Sequence, residues 1–134
     1  MIQVLVADDS PTVRLMLRNW LATEDYEVLE AGDGQKALEA IRASKGPLVV
    51  LLDYEMPKMT GYEVLQAARD AGLLPPRYAY VIISGLTNIF PDGFSDLLRR
   101  LGIQILPKPF DQGSLLAVTA FVAARLVAGT QPTA

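Results

Sequence analysis

Asp53 closes the apolar run Leu48-Val49-Val50-Leu51-Leu52 and leads into the loop Tyr54-Glu55-Met56-Pro57-Lys58-Met59-Thr60-Gly61. Such a run, bounded by Gly46-Pro47, reads as a parallel strand buried on both faces, which puts Asp53 at its carboxyl end. In an open α/β sheet that edge is where ligands bind. A lone aspartate there would more simply cap the loop. Asp53 has company: Asp8-Asp9 follows the run Ile2-Gln3-Val4-Leu5-Val6-Ala7, Ser84 follows Tyr78-Ala79-Tyr80-Val81-Ile82-Ile83, and Lys108 comes just after the run 103–106. Parallel strands gather all five groups on one edge. Three carboxylates packed together repel, and stay partly protonated unless a cation compensates them. The chain has no histidine and no cysteine. Oxygen donors alone point to a hard ion, and a small, partly hydrated Mg²⁺ suits them better than a many-ligand calcium cage. Calcium is the weaker alternative because Asp8-Asp9 lacks the ligand spacing of an EF-hand loop. Any catalysis must use carboxylates, Lys, Ser or Tyr.

The elements that must position these groups follow from periodicity. Ser10-Pro11 is a helix start, a capping hydroxyl followed by proline at the first helical position. Val13, Met16, Leu17, Trp20 and Leu21 recur at helical spacing up to about Thr23, with Trp20 as core filler. Residues 26–31, of mixed polarity, suit an edge strand. A second helix carries Ala37, Leu38 and Ile41 inward and stops at Lys45-Gly46. The third spans 60–71, with Tyr62, Val64, Leu65 and Ala68 as inner or flanking positions and Gly72 as its stop. A connector with Pro75-Pro76 leads to the fourth strand. Residues 87–93 combine poor helix formers with Pro91, which predicts a loop and a helix only over Phe94–Leu101. Residues 103–106 form the fifth strand. A last helix runs over 111–127, and the chain frays from Gly129. Five strands alternating with five helices predict a parallel sheet covered on both faces, with right-handed crossovers.

At 134 residues and 51% hydrophobic, the chain suits one domain with a proper core. We expect that domain over 1–127, with 128–134 a frayed tail or the start of a linker. A net charge of −3 leaves no basic surplus for nucleic-acid phosphates, so no direct nucleic-acid contact is expected. The lack of cysteine excludes disulfides, thiolate metal sites and a cysteine nucleophile. With neither a signal peptide nor an apolar run of membrane-spanning length, a soluble cytoplasmic protein without membrane contact is the expectation. One motif needs weighing: Gly32-Asp33-Gly34-Gln35-Lys36-Ala37 fits G-x-G-x-x-A, and an acid, Asp53, follows about 20 residues on. The dinucleotide fingerprint, however, belongs after the first, fully buried strand, not after a polar-flecked second one. We read the segment as a strand-to-helix turn capped by Asp33 or Gly34.

Taken in order, the acidic pair, the segment D-x-x-M-P-x-M-x-G-x-x-x-L from Asp53 to Leu65, Ser84, and Lys108-Pro109 resemble the response-regulator receiver domain of two-component signalling. The resemblance, which extends to the single-domain chemotaxis regulator, covers nearly the whole chain. It implies a flavodoxin-like, doubly wound five-stranded parallel sheet in the order 2-1-3-4-5, with five helices and, here, an irregular start to the fourth. It also implies that Asp53 is the phosphoacceptor. Mg²⁺ would be bound directly by Asp9, Asp53 and the Glu55 backbone carbonyl, with Asp8 acting mainly through water. Ser84 would hydrogen-bond one phosphoryl oxygen, Lys108 would pair with another, and the peptide before Pro109 would be cis. The implied donor is a phosphohistidine on a sensor histidine kinase or phosphotransfer protein, and the implied receiver of the signal is a downstream protein or effector domain. Such a chain is a signalling phosphoacceptor rather than a turnover enzyme, with intrinsic self-phosphorylation and slow self-dephosphorylation. The chemistry agrees, because a carboxylate is a weak nucleophile that depends on in-line positioning and charge neutralisation.

Two departures bear on output. Most receivers carry an aromatic residue three positions before the lysine, which swings inward on phosphorylation; here the switch position is Ile105. We therefore expect the signal to run through the 87–93 loop. The last helix carries Leu115, Leu116, Val118, Phe121, Val122, Leu126 and Val127 among alanines, with little polar face beyond Thr119 and Arg125. That pattern predicts a homodimer or a docked partner on its outer face, unless an alanine-rich surface is simply left wet. Against the phosphoacceptor stand two other readings. One is a receiver-like adaptor that binds independently of phosphorylation, for which Ile105 gives room. The other is a Mg²⁺-dependent phosphatase, suggested by Asp53 and Glu55, but no loop here is long enough to form its substrate cap.

Overall fold

A computed structural model describes residues 1–85 and 89–130, with side chains through Leu126. Thr87 and Asn88 of the predicted loop, the Val127 side chain, and the tail 131–134 lie outside the described residues. The elements run β1 (Gln3–Ala7), α1 (Pro11–Ala22), β2 (Glu27–Ala31), α2 (Gly34–Ala43), β3 (Leu48–Asp53), α3 (Gly61–Asp70), β4 (Tyr78–Ser84), α4 (Phe94–Leu101), β5 (Gln104–Pro107) and α5 (Gln112–Thr130). The five strands form one parallel sheet, as the alternation of strands and helices predicts, in the order β2-β1-β3-β4-β5 that the resemblance implies.

Alternation along the strands sorts side chains into two cores. Val4, Val6, Val49, Leu51, Val81 and Ile83 face α1 and α5, where Leu17, Leu21, Leu115, Val122 and Leu126 meet them. Leu5, Val50, Leu52, Tyr80 and Ile82 face the other layer and pack with Ile41, Val64, Leu65, Phe94 and Leu98. β3 is buried at every position because strands flank it on both sides and helices cover both faces. β2, paired only with β1, is an edge strand. It keeps Glu27 exposed, and Glu30 forms ion pairs with Arg14 and Arg18.

Local chemistry sets the helix starts. Ser10 Oγ accepts from the Val13 N–H and Pro11 stands in the first turn. Asp33 caps α2 by accepting from the Lys36 N–H at 2.7 Å. Thr60 and Glu63 form a capping box on α3. α4 begins at Phe94, and residues 89–93 are not helical, in keeping with Pro91 and Gly93.

Three expectations need correction. α2 stops at Ala43, short of Lys45-Gly46, because Ser44 turns extended and its Oγ accepts from the Gly46 N–H. α5 spans Gln112–Thr130 and so runs past the predicted end at Val127, since no proline interrupts it before Pro132. Thr119 is not part of an outer polar face. It is fully buried, and its Oγ1 donates to the Leu115 carbonyl at 2.7 Å, one turn back. The outer face of α5 is therefore Ala117, Ala120, Phe121 and Ala124, with the Arg125 guanidinium 5.6 Å from the Phe121 ring centre. Among the described residues, no helix is long and apolar enough to cross a membrane.

Leu51 is fully buried on the central strand. Leu51→Ala should cost about 3 kcal/mol in urea unfolding; a loss below about 1 kcal/mol would contradict its place in the core.

Candidate functional site

Register delivers the site. β1 and β3 pair Ala7 with Leu52, β3 and β4 pair Asp53 with Ile83, and β4 and β5 pair Ser84 with Pro107. The residues that end or follow these strands, Asp8, Asp53, Ser84 and Lys108, therefore fall on one carboxyl edge. Ladder hydrogen bonds continue past the strand ends: the Tyr54 N–H donates to the Ile83 carbonyl at 2.9 Å and the Lys108 N–H to the Ser84 carbonyl at 2.8 Å. The site backbone is thus an extension of the sheet rather than a free loop.

One carboxylate oxygen from each of Asp8, Asp9 and Asp53 lies within 4.8 Å of the others. Asp8 and Asp53 are buried and Asp9 is exposed. Asp8 is fixed twice, its Oδ1 accepting from the Ser10 N–H at 2.8 Å and its backbone carbonyl from Arg14 Nη1 at 2.6 Å. Lys108 Nζ stands 3.2 Å from Asp53 Oδ1. Burial first, and the nearby Asp8 carboxylate second, push the Asp53 carboxyl up to about 6, against the opposing pull of Lys108. The donor set fits a hard divalent cation, since it offers charged oxygens at a separation an octahedral ion can draw together. A cation would also relieve the repulsion that raises Asp53.

Glu55 lines an open depression with Asp9, Asp53, Met56, Pro57, Thr60 and Lys108. Ser84 is buried at the end of β4, and its Oγ donates to the Gly85 carbonyl at 3.2 Å. The Lys108–Pro109 peptide is cis, as the resemblance implies; Gly46–Pro47 and Pro75–Pro76 are cis as well. Ile105 lies away from the edge, paired with Ile82 and 42% exposed. Sequence reasoning missed Arg14, whose guanidinium bridges Asp8 and Glu30. Nothing in the sequence marks it, because Glu30 lies 16 residues away. Gly32-Asp33-Gly34 proves to be a helix-capping turn, as read, but it packs on the loop after β3, which the sequence did not suggest.

If burial and Asp8 raise Asp53, a neutral isostere should relieve the cost. The folded form of wild type binds the Asp53 proton more tightly than the unfolded chain, so its stability deficit exists above pH 6 and fades as pH falls from 6 towards 4. In metal-free buffer at pH 7.5, Asp53→Asn should be more stable than wild type by about 2–3 kcal/mol, a gain already net of the lost Lys108 pair. The advantage should shrink on acidification. Equal stability at both pH values would contradict the account.

Comparison with known proteins bears on the whole chain. The family model described as the response regulator receiver domain matches residues 4–120. A protein-glutamate methylesterase/protein-glutamine glutaminase of Nitrosospira multiformis is 37% identical over 112 residues, which are 81% of this chain and 30% of that protein. The chain thus spans about a third of that relative's length. The CheY-like receiver domain protein of Methanospirillum hungatei superposes with a TM-score of 0.81 over 94% of this chain and 97% of that one, at 24% identity, a likeness of fold. Response regulator TrrA of Thermotoga maritima, solved in complex with Mg(2+)-BeF, gives a TM-score of 0.72 at 26% identity over 91% of this chain and 99% of its own. On the extent of the family match and the shared five-stranded architecture, the chain belongs to the response regulator receiver domain family of two-component signalling.

Proposed function

We propose that this receiver accepts a phosphoryl group on Asp53 from a phosphohistidine of a partner kinase or phosphotransfer protein, and that the modification switches its protein contacts. The observation that carries this reading is a buried Asp53 with Lys108 Nζ at 3.2 Å and the Asp8 and Asp9 carboxylates beside it. An Asp53 oxygen forms the new bond to phosphorus while the bond from phosphorus to the partner's imidazole nitrogen breaks, and the imidazole keeps the electron pair. Lys108 shifts from the carboxylate to a phosphoryl oxygen, and the Ser84 hydroxyl donates to another. Asp9, Asp53 and the Glu55 backbone carbonyl, with Asp8 acting mainly through water, would hold Mg²⁺, whose contribution is to neutralise the transferring group. The Mg(2+)-BeF complex of the Thermotoga relative supports that assignment. Water later cleaves the acyl phosphate, returning the carboxylate and inorganic phosphate.

Output runs through the start of α4. Tyr54, next to Asp53, packs its ring 4.8 Å from Phe90 and 6.1 Å from Phe94, and Phe94 meets Tyr62 at 4.9 Å. This aromatic chain joins the site to the segment before α4, whereas Ile105 offers no ring to swing.

Intact mass after incubation with acetyl phosphate should show one Mg²⁺-dependent phosphoryl adduct, absent from Asp53→Asn and formed about 100-fold more slowly in Lys108→Ala. An adduct on Asp53→Asn would sink the assignment. No adduct on wild type, despite Mg²⁺ binding, would favour the phosphorylation-independent adaptor. On phosphorylation, amide exchange in residues 89–93 should change; unchanged exchange there would refute the output route.

A further inference from the structure

The Gly32-Asp33-Gly34 turn lies outside the acidic cluster and has no assigned part in the chemistry, yet its contacts are directed at the loop between β3 and α3. That loop holds Glu55, and it is built under constraint. Lys58 has a φ of +72°, a left-handed conformation that a residue with a side chain adopts only when its surroundings impose it. Within the loop, the Met59 N–H donates to the Pro57 carbonyl at 2.8 Å, and the Gly61 N–H closes onto the Tyr54 carbonyl at 2.7 Å.

The start of α2 grips both sides of Lys58. On one side, the Gly34 N–H donates to the Pro57 carbonyl at 3.2 Å. On the other, Met59 lies against the Gly34 Cα so closely that a Cβ at position 34 would fall 2.2 Å from the Met59 carbonyl oxygen and 2.8 Å from its carbonyl carbon. Asp33 adds to the grip. It is buried, its Oδ1 caps α2 through the Lys36 N–H, and its Oδ2 lies 3.8 Å from Lys58 Nζ. The atoms met by a Cβ at 34 include backbone, which cannot swing aside as a side chain would. Any residue larger than glycine must therefore push the loop away by about 1 Å.

We propose that Gly34, supported by Asp33, is a positioning residue for the metal site: the docked start of α2 holds the 54–60 loop so that the Glu55 backbone carbonyl reaches Mg²⁺. The inference rests on the Mg²⁺-dependent phosphoacceptor reading of this site. Its physical basis is that Mg²⁺ demands near-ideal octahedral geometry at about 2.1 Å, so a loop displaced by about 1 Å loses a direct ligand. Groups behind a metal's direct ligands commonly change affinity by 10–100-fold when altered. The carboxylates of Asp8, Asp9 and Asp53 stand on the strand ends and do not depend on this loop, so the deficit should be one of affinity and yield to excess metal.

The test is calorimetric titration of Mg²⁺ into the full chain as wild type, Gly34→Ala, Asp33→Ala and Val122→Ala. The last truncates a buried side chain on the opposite face of the sheet and controls for lost stability. We expect the Mg²⁺ Kd to weaken about tenfold in Gly34→Ala and about threefold in Asp33→Ala, and to stay at the wild-type value in Val122→Ala. Adduct formation from acetyl phosphate by Gly34→Ala should return to the wild-type rate at saturating Mg²⁺. Should Gly34→Ala fail to fold, Asp33→Ala, which adds no bulk, decides the matter in the same way. An unchanged Kd in the folded variants, or equal weakening in Val122→Ala, overturns the proposal. Wild type that binds Mg²⁺ but forms no adduct removes the phosphoacceptor reading while leaving the positioning role to stand on the Kd values. Wild type that binds no Mg²⁺ removes both.

Discussion

Two carboxylates buried side by side at the end of a sheet form an arrangement that folding alone would not favour. Asp8 and Asp53 are both almost fully out of water, Asp9 adds a third charge, and the Lys108 ammonium is in contact with Asp53. Burial disfavours the ionised form and the neighbouring acid disfavours it further, which is why Asp53 holds its proton more tightly than an ordinary aspartate. The cost is met by the rest of the fold, and a divalent cation would relieve it: the repulsion among the carboxylates is interaction energy that such an ion would collect. In the proposed reaction, the same crowding would keep Asp53, a weak nucleophile, beside the groups that neutralise the transferring phosphoryl.

Everything around the edge serves to hold it still. Parallel register brings the strand ends level, and hydrogen bonds from Tyr54 and Lys108 carry the ladder one residue past the strands. Two apolar layers clamp the sheet from both sides, so the strand ends cannot part without opening a core. Ser10 and Arg14 fix Asp8 from the first turn of α1, and α2 reaches across to the loop after β3. Rigidity at the strand ends contrasts with the aromatic stack from Tyr54 to Phe90, which leads away from Asp53 towards the irregular entry to α4.

Much of this was legible in the chain. The runs ending at Ala7, Asp53 and Ser84 announce buried parallel strands by length and composition, and the polar flecks of β2 mark it as an edge. Asp8, Asp53, Ser84 and Lys108 were legible because each sits at the end of such a run. What escaped depends on contacts distant in sequence. Thr119 looks polar in a one-dimensional pattern, but a threonine that bonds its own helix backbone can be buried without penalty. Gly34 looks like an ordinary turn glycine, and only the approach of Met59 shows what its missing side chain is for. Arg14 reads as a solvent-facing charge until β2 places Glu30 beside it. α5 runs beyond Val127 because, with no proline before Pro132, glycine weakens the helix without stopping it.

Carbon-13 NMR of the Asp53 carboxyl reads the crowding of the three acids directly. Titrated without divalent metal, Asp53 should show a midpoint near pH 6, and saturating Mg²⁺ should move that midpoint below the ordinary aspartate value. A metal-free midpoint near pH 4, indifferent to Mg²⁺, would contradict this, because the three acids would then neither crowd one another nor share a cation.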